Sequence, residues 1–116
     1  MAIDILHNGH INIIKKARAL GDVTIGLLTD KAISSYKKLP FIEIEQRKEI
    51  AENIKGVSSI MIQDSYDYED ILRKLKPDYF VHGDDWRTGV QSKMRDKVVS
   101  ILQEWGGELI EPEYTK

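Results

Sequence analysis

The stretch Gly21-Asp22-Val23-Thr24-Ile25-Gly26-Leu27-Leu28-Thr29-Asp30 sets a near-continuous apolar run between a glycine and a polar turn. A run of that length reads as a strand buried on both faces, the kind found inside parallel sheets. Upstream, Ile11, Ile13, Ile14, Ala17 and Leu20 follow helical spacing, so a helix is expected over residues 9–20, ended by Gly21. Downstream comes a variable stretch, residues 31–41, with paired lysines and Pro40. Ile44, Arg47, Ile50, Ala51 and Ile54 then mark a second helix closed by Gly56. A second strand is expected over 57–63, a helix over 68–75 stopped by Pro77, and a third strand over 78–82 broken by Gly83. A long helix over 91–105 follows, capped by Gly106-Gly107, and 108–111 reads as a last strand. Strands separated by such helices imply right-handed βαβ units, hence an α/β fold with a parallel sheet and helices on both faces.

Composition bounds what such a fold can do. At 116 residues, with 41% hydrophobic and 31% charged residues, the chain is expected to form a single domain, 1–116, with a real core. A net charge of −2 gives no electrostatic reason to expect nucleic acid or a membrane surface as partner. No apolar run approaches the roughly 20 residues of a membrane helix, and no signal peptide is visible. Without cysteine there is no disulfide framework and no thiolate chemistry. A cytoplasmic enzyme or binding module is the expectation.

Function is written most densely in His7-Asn8-Gly9-His10, behind Asp4-Ile5-Leu6 and ahead of the first helix. Free backbone N–H groups and the positive end of a helix dipole point outward at such a junction, where they suit phosphate. Two imidazoles add donors to the same anion, and Gly9 lets a ligand approach the backbone. Two histidines near a helix start also read as polar surface, and spacing alone does not separate the readings. The neighbours do. With Asp4 three residues before His7, and Gly83-Asp84-Asp85-Trp86 after a later strand, the chain resembles the cytidylyltransferase branch of the HxGH nucleotidyltransferases. The likeness is nearest to the cytidylyltransferase domains that accompany phosphoenolpyruvate mutase in phosphonate biosynthesis, then to glycerol-3-phosphate cytidylyltransferases.

The resemblance implies a Rossmann-like sheet of the HUP/nucleotidyltransferase type, and it implies roles. His7 and His10 contact the CTP phosphates, His10 donating to the α-phosphate as charge builds there. Lys37 joins them as a catalytic cation that neutralises acceptor and triphosphate together. Asp4, Gly9, Asp84 and Asp85 belong to nucleotide binding; Lys38, Arg47 and Trp86 belong to the acceptor or its phosphate. Rival readings stay open for each: a capping carboxylate for Asp4, a solvated pair for Lys37 and Lys38, an i,i+4 salt bridge for Arg47, and a tight turn for Asp84 and Asp85. Mg²⁺ is expected as cofactor, held by phosphates and water rather than by a dedicated protein cage. A homodimer is implied by the family.

Two departures guide the choice of acceptor. Family members begin with an additional central strand and continue into a Ser/Thr-rich segment, so the chain reads as truncated at both ends. Glycerol-3-phosphate enzymes have Thr-Phe before the aspartate and an arginine where this chain has Ala2-Ile3 and Tyr114. The expectation is therefore CMP transfer from CTP to a small phosphonate, with pyrophosphate released. The alternatives are glycerol 3-phosphate as acceptor, an ATP-using enzyme of the same fold, or a nucleotide-binding regulatory domain without turnover.

Overall fold

The computed structural model describes residues 1, 8–34, 42–89 and 91–113. It divides into two compact units, Met1–Tyr66 and Asp67–Lys116. In the first, helix α1 (Asn8–Arg18) leads to strand β1 (Val23–Leu28), a short helix α2 (Asp30–Ser34), helix α3 (Ile44–Glu52) and strand β2 (Val57–Gln63). In the second, helix α4 (Glu69–Leu75) precedes strand β3 (Tyr79–Val81), a 3-10 turn at Asp84–Trp86, helix α5 (Ser92–Gln103) and strand β4 (Glu108–Ile110). No helix among the described residues is long and apolar enough to cross a membrane.

The first unit is built on a parallel pair. β1 runs beside β2 from Val23↔Val57 to Leu28↔Gln63, with a register shift after Val23. Alternation along the strand puts Val23, Ile25 and Leu27 on one face, where they form a core with Ile14 of α1 and Ala51 of α3. The other face corrects the expectation of burial on both sides. Thr24 is exposed there and its hydroxyl meets that of Ser59 at 2.8 Å, while Leu28 alone turns inward, against Ala32 and Ile33 of α2. The helix α2 itself replaces the expected variable stretch at its start. Its N-cap is Thr29, whose Oγ1 accepts from the Ala32 N–H at 3.1 Å.

Met1 touches the opposite edge of β1. Its terminal amino group donates to Gly26 O at 2.7 Å and its carbonyl accepts from Leu28 N–H at 3.0 Å. That is the slanted pattern of a parallel ladder, with Met1 opposite Leu27. The segment expected to lead from here to the first helix, residues 2–7, lies outside the described residues.

The second unit repeats the parallel class. β3 pairs with β4 in the register Tyr79↔Glu108 to Val81↔Ile110. The ladder continues past both strand ends, with Glu108 N–H on Asp78 O, His82 N–H on Ile110 O and Asp84 N–H on Pro112 O. α4 and α5 pack through Tyr68, Leu72, Val98, Ile101 and Leu102, and Arg73 bridges to Glu104 across their exposed side. Among the described residues the strands form two parallel pairs, the strand class expected of the α/β fold.

Trp105, just past the end of α5, packs on this cluster and donates from Nε1 to Pro77 O at 2.9 Å. The bond needs the space left by Gly107. A Cβ there would lie 2.9 Å from Pro77 O and 3.0 Å from both Trp105 Nε1 and a Leu102 methyl. Gly107→Ala should therefore destabilise the protein by about 1–3 kcal/mol. Gly106, at φ +75° with open space around its Cβ position, should lose less to asparagine, a side chain that tolerates that conformation better than most. Thermal melts of the two variants check this, and an unchanged melt for Gly107→Ala would overturn it.

Candidate active site

Ligands of parallel α/β folds bind beyond the carboxyl ends of the strands, so each unit is described from that edge. In the first unit, β1 ends at Leu28 and β2 at Gln63, and the next residues tie the edge together. Thr29 N–H donates to Gln63 O at 3.0 Å, and Thr29 Oγ1 donates to Asp64 Oδ1 at 2.8 Å. α1 is joined to β1 by residues 19–22 only and packs along it through Ile14. It therefore runs back against the strand and brings its amino end to the same edge. Gly9 is buried there and His10 is half-buried, in a first turn that contains no acidic residue. Lys15, Lys16 and Arg18 sit in the last turn. This charge order leaves the positive end of the dipole uncompensated within the helix and stabilises its negative end.

Arg47 is placed differently from the expectation. Its side chain is 0% exposed. Nε donates to Ile42 O at 2.9 Å, Nη1 to Leu28 O at 2.6 Å, and Nη2 to Asp30 Oδ1 at 2.6 Å. The planar fork spans three acceptors beneath the end of β1. Arg47 braces the edge from inside, and neither the phosphate contact nor the i,i+4 bridge describes it.

In the second unit, the Gly83-Asp84-Asp85-Trp86 motif forms the 3-10 turn at the end of β3. Asp84 is half-buried, and of Asp85 only the backbone course is described. Trp86 is 1% exposed, which corrects its expected place on an acceptor pocket wall: the indole is core. It stacks on His82 at 3.7 Å between ring centroids and lies edge-on to Tyr68 at 6.0 Å. Its Nε1 donates to Glu111 Oε2 at 2.8 Å.

Glu111 gathers more than that bond. Arg95 donates to it twice, from Nε at 2.8 Å and Nη2 at 2.7 Å, and Arg87 Nε adds a contact at 3.3 Å. The carboxylate side chain is 6% exposed. The Arg95 hydrogen bonds hold its pKa down at about 2, from an ordinary 4.5, against an upward push from burial. Because the folded value lies below the unfolded one, ionised Glu111 stabilises the fold fully above about pH 4.5. That contribution is lost as pH falls from there through about 2. Acid unfolding of the wild type should thus steepen below pH 4.5 relative to Glu111→Gln. Identical pH dependence in the two proteins would refute the assignment.

Of the sequence-predicted residues, Gly9, His10 and Arg47 fall in the first unit, and Asp84, Asp85 and Trp86 in the second. Asp4, His7, Lys37 and Lys38 lie outside the described residues. Sequence reasoning missed His82, Glu111 and Arg95. His82 carried a signal, since it stands between a strand and the Gly-Asp-Asp-Trp turn; Glu111 and Arg95 carried none beyond being charged.

A family model described as cytidylyltransferase-like matches residues 3–106. The chain is 34% identical to a glycerol-3-phosphate cytidylyltransferase of Staphylococcus aureus, over 81% of this chain and 72% of that protein. It is also 34% identical to an ethanolamine-phosphate cytidylyltransferase of Arabidopsis thaliana, over 71% of this chain and 21% of that one. An FAD synthase of Methanosarcina mazei is 34% identical over 72% of this chain and 56% of its own length. The chain thus spans about a fifth of one of these relatives and about half of another. A lipopolysaccharide core biosynthesis protein from Thermoplasma volcanium shares the fold, with a TM-score of 0.84 at 20% identity, over all of this chain and 93% of that one.

Proposed function

The chain belongs to the cytidylyltransferase-like family, and on that footing we propose that it transfers CMP from CTP to a small phosphonate. The observation that carries this reading is the family match over residues 3–106, which takes in both the His7–His10 stretch and the Gly83–Trp86 turn. An acceptor oxygen attacks the α-phosphorus, a bond to that phosphorus forms, and the bond to the pyrophosphate oxygen breaks. No protein nucleophile is required. The work left to side chains is positioning and stabilising negative charge.

Within that reading, His10 and His7 donate to the phosphates at the amino end of α1, and Lys37 and Lys38 neutralise acceptor and triphosphate. Asp4 orients the His turn. Asp84 and Asp85 accept hydrogen bonds from ribose hydroxyls or the cytosine amino group. Arg47 acts through the strand edge it braces, and Trp86 through the turn it anchors. Among the described residues no group of three or more His, Asp or Glu side chains could hold a metal. Mg²⁺ that arrives on the triphosphate and lowers its charge belongs to the proposal. Cytoplasmic location and a homodimer belong to the same proposal.

The relatives' names support phosphorylated alcohols and amines as acceptors; Ala2-Ile3 and Tyr114 are the reasons to favour a phosphonate. A second reading, adenylyl transfer from ATP, draws on the likeness to FAD synthase, whose named product contains an adenylate.

Pyrophosphate release with Mg²⁺ tests the proposal, crossing CTP and ATP with 2-aminoethylphosphonate, 2-hydroxyethylphosphonate, glycerol 3-phosphate and phosphocholine. Release with CTP and a phosphonate supports it. Release only with glycerol 3-phosphate or only with ATP selects the corresponding alternative. Silence from a folded protein that binds CTP favours a binding role.

A further inference from the structure

We propose that Glu111 is a positioning residue for the nucleotide, acting through the Gly83–Trp86 turn; the inference rests on the cytidylyl-transfer reading given above. The turn leaves β3 with its backbone fastened to the segment after β4, through His82 N–H on Ile110 O and Asp84 N–H on Pro112 O. Glu111 lies between those two acceptors in sequence and fastens the side-chain layer. One carboxylate oxygen takes the Trp86 indole N–H at 2.8 Å together with Arg95 Nε at 2.8 Å. The other takes Arg95 Nη2 at 2.7 Å.

The arrangement is more than a surface ion pair. The carboxylate is 6% exposed, and Arg95 28%, so the pair acts in a medium less screening than water. The indole it holds is 1% exposed and lies flat on His82 at 3.7 Å, with ring planes within 10°. An indole fixed at its nitrogen and on one face cannot rotate, and Trp86 closes the turn that carries Asp84 and Asp85. Glu111 therefore sets where the backbone of the turn and the Asp84 carboxylate stand, acting as a positioning residue.

The test uses Glu111→Gln, which keeps the shape and removes the charge, and Glu111→Asp, which keeps the charge and shortens the reach. Both are made in wild-type and Trp105→Phe backgrounds. The chain has two tryptophans, so the second background leaves Trp86 as the sole indole. Far-ultraviolet circular dichroism and thermal melts establish which variants are folded.

For folded Glu111→Gln, KM for CTP should rise about tenfold with kcat within about threefold of wild type, and the near-ultraviolet band of Trp86 should weaken. Glu111→Asp should recover part of both. A folded Glu111→Gln with unchanged KM and an unchanged indole band overturns the proposal. If Glu111→Gln does not fold, Glu111→Asp decides in the same way: a raised KM in a folded protein supports the role, and an unchanged one overturns it. If the wild type transfers nothing from CTP, the cytidylyl-transfer reading fails separately. The indole band then still decides whether the carboxylate holds the turn.

Discussion

Replacing His10 by alanine should lower kcat for pyrophosphate release by about 10²–10³-fold, the loss expected when one preorganised donor to a developing oxyanion is removed. The expectation rests on position. His10 occupies the first turn of α1, half-buried, where the helix contains no acidic residue to offset its positive end. A phosphate bound there meets backbone N–H groups and an imidazole together. Stability separates this role from a structural one. Alanine is the better helix former by a few tenths of a kcal/mol, so the melting temperature of the variant should stay near that of the wild type. His10→Asn retains a donor at that turn and should fall between the two in rate. The measurement is steady-state pyrophosphate release with CTP and whichever acceptor responds. A folded His10→Ala with kcat within about threefold of wild type would remove His10 from the chemistry.

The largest effect on stability is expected at Arg47. Arg47→Met fills much of the same volume with an apolar chain, yet leaves Leu28 O, Ile42 O and the Asp30 carboxylate without the donors they have in the structure. Losing three hydrogen bonds from a buried guanidinium costs about 3 kcal/mol, a large share of the ~5–15 kcal/mol of a typical domain. Arg47→Lys should rescue little, because a single ammonium cannot span three acceptors set around a planar fork. Asp30→Asn should be milder, since the Asp30 side chain is 40% exposed and water can replace part of what is lost. Urea unfolding of the three variants gives the order. A change below about 1 kcal/mol for Arg47→Met, the size of an ordinary surface substitution, would show that the guanidinium is not needed as a brace.

The sequence carried the strands better than the site. Val23–Leu28 and Val57–Gln63 are where the apolar runs place them, and the long helices differ from expectation by a few residues at their ends. Apolar periodicity reports such elements because the core selects for it. It could not report α2, whose five residues are too few to show a period; only the Thr29-Asp30 pair marked its start. Burial on the second face of β1 was misread because a run of apolar residues does not say what lies over each face. Arg47 was misread for a different reason. Its neighbours in sequence are acidic, but its partner is Asp30, 17 positions away, and a contact of that kind leaves no local pattern. Trp86 sits in a three-residue turn where no periodicity exists to separate core from pocket wall. Glu111 looked like one charged residue at the end of a strand, and only the fold brings Trp86 and Arg95 to it.

The knot at Thr29 has a consequence for the order in which the molecule is made. Its hydroxyl bond to Asp64 closes a span of 35 residues, and the β1–β2 ladder beneath it pairs positions nearly as far apart. Contacts of that range come with a loop-closure cost that must be met before any of them is rewarded. Helices such as α1 and α3 form and dissolve locally on far shorter timescales. The carboxyl edge of the first unit therefore belongs to the late part of folding. As the chain emerges from a ribosome, the strand end that completes this edge arrives 35 residues after the one that begins it, so the edge exists only once both are out.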